Sequence, residues 1–199
     1  LALDGKPRWD LTRFNEEYFS RLRSRVVEAR DRGMYVSVML FNGWSVAKSK
    51  GGQDAENPWR GHPFHRFNNV NGIDGDANGD GSGEEVHELI NEQVFHIQTT
   101  YVKKTIDVLN DLNNVLFELS NESHGESTEW QYALVDLIHR YEASKPNQHP
   151  VGMTVELPGG NNEELFSGPA DWVSPNRYAD PPPATGEKVV IADTDHIWG

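Results

Sequence analysis

Helical periods and β-branched runs take turns along this chain, and that alternation limits its fold more than any other feature. Residues 15–32 carry Phe19, Leu22, Val26 and Ala29 at helical spacing, and Gly33 stands where a helix C-cap would. MYVSVMLF (34–41) follows as a near-continuous apolar run, the pattern of a parallel strand buried on both faces. Residues 42–84 are rich in Gly, Asn, Asp and Pro and read as a long loop. Helical spacing returns over 85–110 with Val86, Leu89, Ile90, Val94, Ile97, Tyr101, Ile106 and Leu109. VLFEL (115–119) is a strand, and Ser127 is placed to cap a helix over 128–144 striped by Leu134, Leu137, Ile138 and Tyr141. PVGMT (150–154) is a strand, 161–167 a short helix, and DWVS (171–174) and KVVIA (188–192) two more strands.

Strands alternating with helices predict an α/β fold with a parallel sheet and right-handed crossovers. No Gly-rich phosphate turn follows a strand, so the signature of a nucleotide-binding doubly wound fold is missing. Polar and aromatic residues gather after the strands instead: Asn42 and Trp44, Asn121 and Glu122, Asn176 and Tyr178, Asp193 and Asp195. Function at the carboxyl ends of the strands is the rule for (β/α)8 barrels. About five βα units are visible, so the expectation is a partial or truncated (β/α)8 barrel, one catalytic domain over 1–199.

Composition narrows the function. The chain has 199 residues, enough for one sizeable core, and 10% aromatics with 6 Trp are too many for a disordered chain. A net charge of −13 argues against nucleic acid or an anionic membrane as partner. No apolar run has membrane-spanning length, and no charged-then-apolar signal segment opens the chain. Leu1 is not a start Met, which reads as a processed, trimmed or partial chain. With no Cys, disulfide and thiol chemistry are excluded and the redox compartment is not legible. Acidity with surplus aromatics suits a carbohydrate-active protein; the compartment stays open, with a secreted or periplasmic one favoured.

VLFELSNESHG (115–125) and VVIADTDHIWG (189–199) are both apolar runs that end in carboxylates. Glycoside hydrolysis needs two carboxyl groups across the scissile bond. Glu122 beside Asn121 suits the proton donor. An Asp kept ionised at another strand end suits the second role; Asp193 comes first after its apolar run and Asp195 follows. The plainer alternatives are a helix cap for Asn121 and Glu122, and a self-bonded turn for the two Asp. Glu118, on the same strand face as Glu122, is expected to pair inside the barrel. Trp44, Trp198, Tyr178 and His196 are candidates for sugar subsites, because aromatic faces pack on sugar C–H faces and polar edges read hydroxyls. His62 and His65 read as solvated loop residues.

IDGDANGDGSGEE (73–85) reads D-x-D-x-N-G-x5-E from Asp74 to Glu85, the spacing of a twelve-residue calcium loop. Asp74, Asp76, Asn78, Asp80 and Glu85 are its candidate ligands, Gly79 permits the turn, and a structural Ca2+ is the predicted cofactor. The alternative is a solvated acidic turn before a helix.

FELSNE (117–122) resembles the F-E-x-x-N-E segment of the fourth strand in clan A glycoside hydrolases such as family five. MLFNGWS, NNVNGIDGD, SNE, QHPVGMT and DTDHIWG together look like a group of glycoside hydrolases with clan A-like barrels. The resemblance implies that Glu122 is the general acid/base, that Asn121 holds the sugar 2-hydroxyl, and that the nucleophile closes strand seven at Asp193 or Asp195. It makes 150–154, 171–174 and 188–192 strands five, six and seven. Asn176-Arg-Tyr178 has the spacing of the family's His-x-Tyr at the end of strand six, with Asn in place of His. Strands one, two and eight are not represented, and the expected nucleophile is Asp rather than Glu. The implied reaction is retaining hydrolysis of a β-linked glycoside, with an oligosaccharide, polysaccharide or small glycoside as partner. Competing expectations are a non-catalytic carbohydrate-binding barrel and a calcium-stabilised interaction module. Two open sheet edges further predict a homodimer that completes the barrel.

Overall fold

The computed structural model describes residues 1–47, 57–156, 159–175 and 186–191. Its elements run α1 (Glu16–Arg30), β1 (Val36–Asn42), α2 (Glu92–Leu109), β2 (Val115–Asn121), α3 (Thr128–Glu142), β3 (Val151–Thr154), α4 (Asn162–Ser167), β4 (Trp172–Ser174) and β5 (Val189–Val190). The five strands form one parallel sheet in the order β1-β2-β3-β4-β5. The molecule is therefore α/β with an all-parallel sheet, an arrangement compatible with part of a (β/α) barrel. No helix of the described residues is long and apolar enough to cross a membrane.

Local chemistry sets the element ends. Asn15 accepts hydrogen bonds from Glu17 N and Tyr18 N and starts α1. Gly33, at φ 74°, ends it: Gly33 N donates to the Arg30 carbonyl and Met34 N to the Ala29 carbonyl, the paired bonds of a Schellman turn. The helical spacing over 85–110 is broken. A 3-10 turn covers Glu84–His87, and α2 begins after Asn91, whose Oδ1 accepts from Val94 N at 3.2 Å. Leu89 and Ile90 fall in the gap and are exposed. Before α3, Ser127 accepts from Gln131 Nε2 at 3.0 Å rather than from a backbone N–H.

One core joins the sheet to the helices. Val38, Leu40, Phe117, Leu119, Val151, Met153 and Val173 pack with Val26, Val102, Ile106, Leu109, Leu134 and Ile138. The other sheet face is more polar. Glu118 accepts from Ser37 Oγ at 3.4 Å and from Thr154 Oγ1 at 3.3 Å. Trp172 lies across Gly152, where an added Cβ would meet its ring at 1.8 Å.

The long loop has a small core of its own, made by Val46, Trp59, Phe64, Val86 and Val94. His62 and His65 are loop residues that are half-buried rather than fully solvated. Both rings lie on Trp59, His62 stacked at 5.0 Å and His65 tilted at 5.6 Å. Burial, and then the neighbouring His65, push the His62 pKa down to about 3. Asn68 and Asn69 are buried, and they knit this loop by donating to the carbonyls of Arg60, His62, Pro63, His65 and Ile73.

Candidate active site at the carboxyl ends of the strands

Asn42 and Asn121 occupy matching positions at the ends of β1 and β2. The Asn42 Oδ1 accepts from Trp44 N at 2.9 Å, which turns the chain at once and leaves the Trp44 ring 45% exposed beside the strand end. Between them, Gly43 lies so close to β2 that an added Cβ would sit 2.2 Å from the Glu122 carbonyl oxygen. Only glycine permits that approach. Glu122 has φ 51°, and among the described residues no other non-glycine has a positive φ. Such a conformation costs of order 1–3 kcal/mol and persists only where its surroundings impose it. α3 starts at Thr128, after a 3-10 turn over Gly125–Ser127, so Asn121 and Glu122 stand outside its first turn.

A buried polar network lies behind Glu122. Ser120 Oγ and Ser123 Oγ are 2.7 Å apart, and Ser123 Oγ is 3.0 Å from His87 Nδ1. His87 stacks on Trp130 at 4.4 Å. Its burial, reinforced by His62 and His124, holds its pKa well below the ordinary value, so the ring is neutral. His124 Nε2 is 3.0 Å from Glu88 Oε1. The loops after β2 and β3 also meet backbone to backbone, with Gly125 so near Gly159 that a Cβ would stand 3.0 Å from its carbonyl carbon.

Glu156, just past β3, is fully buried. Its Oε1 accepts from Thr128 Oγ1 at 3.2 Å and Gln131 Nε2 at 3.0 Å, while Oε2 has no hydrogen-bond partner. Burial raises its pKa to about 7, against the opposing pull of its own backbone N–H and Thr128.

Of the residues singled out in the sequence, Trp44, Asn121 and Glu122 are brought together at adjoining strand ends. Asn176, Tyr178, Asp193, Asp195, His196 and Trp198 lie outside the described residues. In the acidic loop, ligand atoms of Asp76, Asp80 and Glu85 all lie within 4.8 Å of one another. Asp74 is not one of that group: it stands 3.9 Å from Arg66 and accepts from Asp76 N at 3.3 Å. Asn78 accepts from Asp80 N at 2.8 Å.

Sequence reasoning did not find His87, Glu88, His124 or Glu156. Glu156 had a signal, since it follows PVGMT much as Glu122 follows VLFEL. His87 and Glu88 had none, because each reaches its partner across 36 positions from a segment whose spacing reads as helical. Comparison with protein-family models, with curated proteins and with solved structures finds no match to this chain.

Proposed function

We propose that this chain is a glycoside hydrolase that cleaves a β-linked glycosidic bond with retention, on the rim of a partial (β/α)8 barrel. The observation that carries the reading is Glu122: a carboxylate just past the end of a buried parallel strand, beside Asn121, held at φ 51° by close packing against Gly43. Backbone strain of this kind gathers at working sites. Retention follows from the resemblance of residues 117–122 to clan A.

In the first step the Glu122 carboxylic acid gives its proton to the glycosidic oxygen as the bond to the anomeric carbon breaks. A carboxylate oxygen of Asp193 or Asp195 bonds that carbon. In the second step Glu122, now a carboxylate, takes a proton from the water that displaces the aspartyl ester. Asn121 holds the 2-hydroxyl, and the exposed face of Trp44 supports the ring.

A panel of nitrophenyl β-glycosides with wild type and Glu122→Gln tests this. The expected outcome is turnover by the wild type and a fall of at least about 100-fold in the variant, the usual scale for a lost acid/base. Proton NMR of the first-formed sugar should show the anomeric configuration of the substrate. Sugar binding without turnover in the wild type would replace this reading with a non-catalytic carbohydrate-binding barrel.

A further inference from the structure

The acidic loop holds a feature that a solvated acidic turn does not explain. Glu85 is only 6% exposed, and neither carboxylate oxygen has a hydrogen-bond partner. A buried carboxylate without partners is costly unless a cation or a proton joins it. Glu85 also faces like charges, since its ligand atom is within 4.8 Å of those of Asp76 and Asp80. Burial raises its pKa; the backbone N–H groups of Glu85 and Asn78, near the carboxylate but outside hydrogen-bond geometry, oppose the rise, and Asp80 and Asp76 add to it. Among the described residues no Lys, Arg or His is within ion-pair distance of the three carboxylates, although the charge of Asp76 acts on the His65 ring.

We propose that Asp76, Asn78, Asp80 and Glu85 form a binding site for one Ca2+. The donors are all oxygens of carboxylate or amide type, which select a hard cation over zinc or copper. The ligand atoms of the three carboxylates all lie within 4.8 Å of one another, close enough for one Ca2+ to reach each at about 2.4 Å. Mg2+ needs a near-octahedral shell at about 2.1 Å and keeps several waters, a poorer match to four protein donors on one curled loop.

The register differs from the one that begins at Asp74. Here the first ligand is Asp76, followed by Asn78 and Asp80 at steps of two. Asp76 already gathers the N–H groups of Gly79, Asp80 and Gly81 at 2.7, 3.1 and 3.0 Å. Gly79 and Gly81 stand at φ 78° and 85°, and these left-handed positions curl the loop around its carboxylates. Glu85 closes the site from the 3-10 turn Glu84–His87. That same short segment sends His87 to Ser123 and Glu88 to His124. The ion would thus fix the piece of chain that buttresses the Glu122 loop, while its own binding does not depend on the glycosidase reading.

The test uses Tb3+ as a luminescent stand-in for Ca2+. Trp59 lies against both ends of the loop, where a Cβ on Gly83 would meet its ring at 2.3 Å and one on Gly75 at 2.9 Å. Excitation of tryptophan in metal-stripped protein should therefore give Tb3+ emission that saturates at one ion per chain. Ca2+ should displace it, and equal Mg2+ should not. Glu85→Gln and the exposed-site variant Asp80→Asn should each weaken Tb3+ and Ca2+ binding by roughly tenfold or more, since ligand charge sets affinity. Asp74→Asn should bind as wild type. A second readout separates lost binding from misfolding: metal-free Glu85→Gln should melt above metal-free wild type, because one buried like charge is gone, yet gain nothing from Ca2+. The proposal is overturned if wild type shows neither sensitised emission nor a Ca2+-dependent melting temperature, or if both ligand variants bind undiminished. Displacement by Mg2+ as effective as by Ca2+ would overturn the choice of ion, and loss of binding in Asp74→Asn would overturn the register.

Discussion

Two glutamates past neighbouring strands are held in unlike ways, and each has its own test. Glu122 sits at φ 51°, a conformation that glycine adopts freely. Replacing it with glycine removes the strain along with the carboxylate. Glu122→Gly should raise stability by about 1 kcal/mol, or roughly 2–4 °C in Tm for a chain of this size, while abolishing turnover. A melting scan that shows no rise, or a fall, would mean that the side chain is stabilising and the backbone is not strained. Glu156 is buried under the start of α3 with its pKa raised from 4.5 to about 7. The fold therefore favours the protonated form. As pH rises through this window the unfolded chain gives up its proton first, so the contribution is fully present below 4.5 and is lost by about 7. The largest loss is roughly 3 kcal/mol. Glu156→Gln mimics the neutral acid, so it should flatten the decline in Tm between those pH values and leave the protein more stable than wild type at pH 8. Parallel wild-type and variant profiles would show that Glu156 does not titrate in this range.

Elements with an unbroken period were legible in the sequence, and those built by contacts between distant residues were not. The run at 34–41 became β1, and 115–119 became β2 with two further residues. Helix 15–32 became α1, ended by Gly33 as the pattern implied and started by Asn15, whose capping side chain the pattern does not single out. The reading failed over 85–91, where Leu89 and Ile90 kept the helical spacing but Asn91 caps a later start. A single side-chain bond to the backbone outweighed the periodicity. Among the described residues of KVVIA, Val189 and Val190 are the ones in the sheet. The loop's own core was not legible either, because Val46, Trp59, Phe64, Val86 and Val94 follow no period. The same division holds in the candidate site. Asn121 and Glu122 could be read from β2 alone, since a polar residue after a buried strand stands out locally. Their support could not, because His87 and Glu88 arrive from the 3-10 turn after the acidic loop. A buried link of another kind ties element ends together: His149 Nδ1 meets Glu142 at 2.7 Å and Nε2 meets the Leu112 carbonyl at 2.7 Å. Burial opposes charge on that ring, but Glu142 and the Leu112 carbonyl outweigh it and raise the pKa. The link joins the end of α3 to the chain entering β2 and β3.

At the scale of the whole molecule, the sheet remains open among the described residues. β1 and β5 each pair on one side only. On the face that carries Ser37 and Glu118, Met39 of the edge strand is 43% exposed. Val189 and Ile191, at the opposite edge, are 62% and 41% exposed. Unpaired parallel edges with apolar side chains favour association with another sheet, because pairing satisfies the free backbone groups and removes apolar area from water. Two copies related by a two-fold axis are the simplest closed way to do this. The 199-residue chain purified by itself should therefore sediment as a dimer at micromolar concentration, with an interface of at least about 1,200 Å2. Met39→Lys places a charge on the exposed edge strand, so it should shift the chain to monomer without changing its far-UV circular dichroism. A wild-type chain that stays monomeric and stable at that concentration would refute the dimer. It would identify the 42–84 segment, whose described residues include Val46 and Phe64 packed with Trp59, as the element that covers the sheet within one chain.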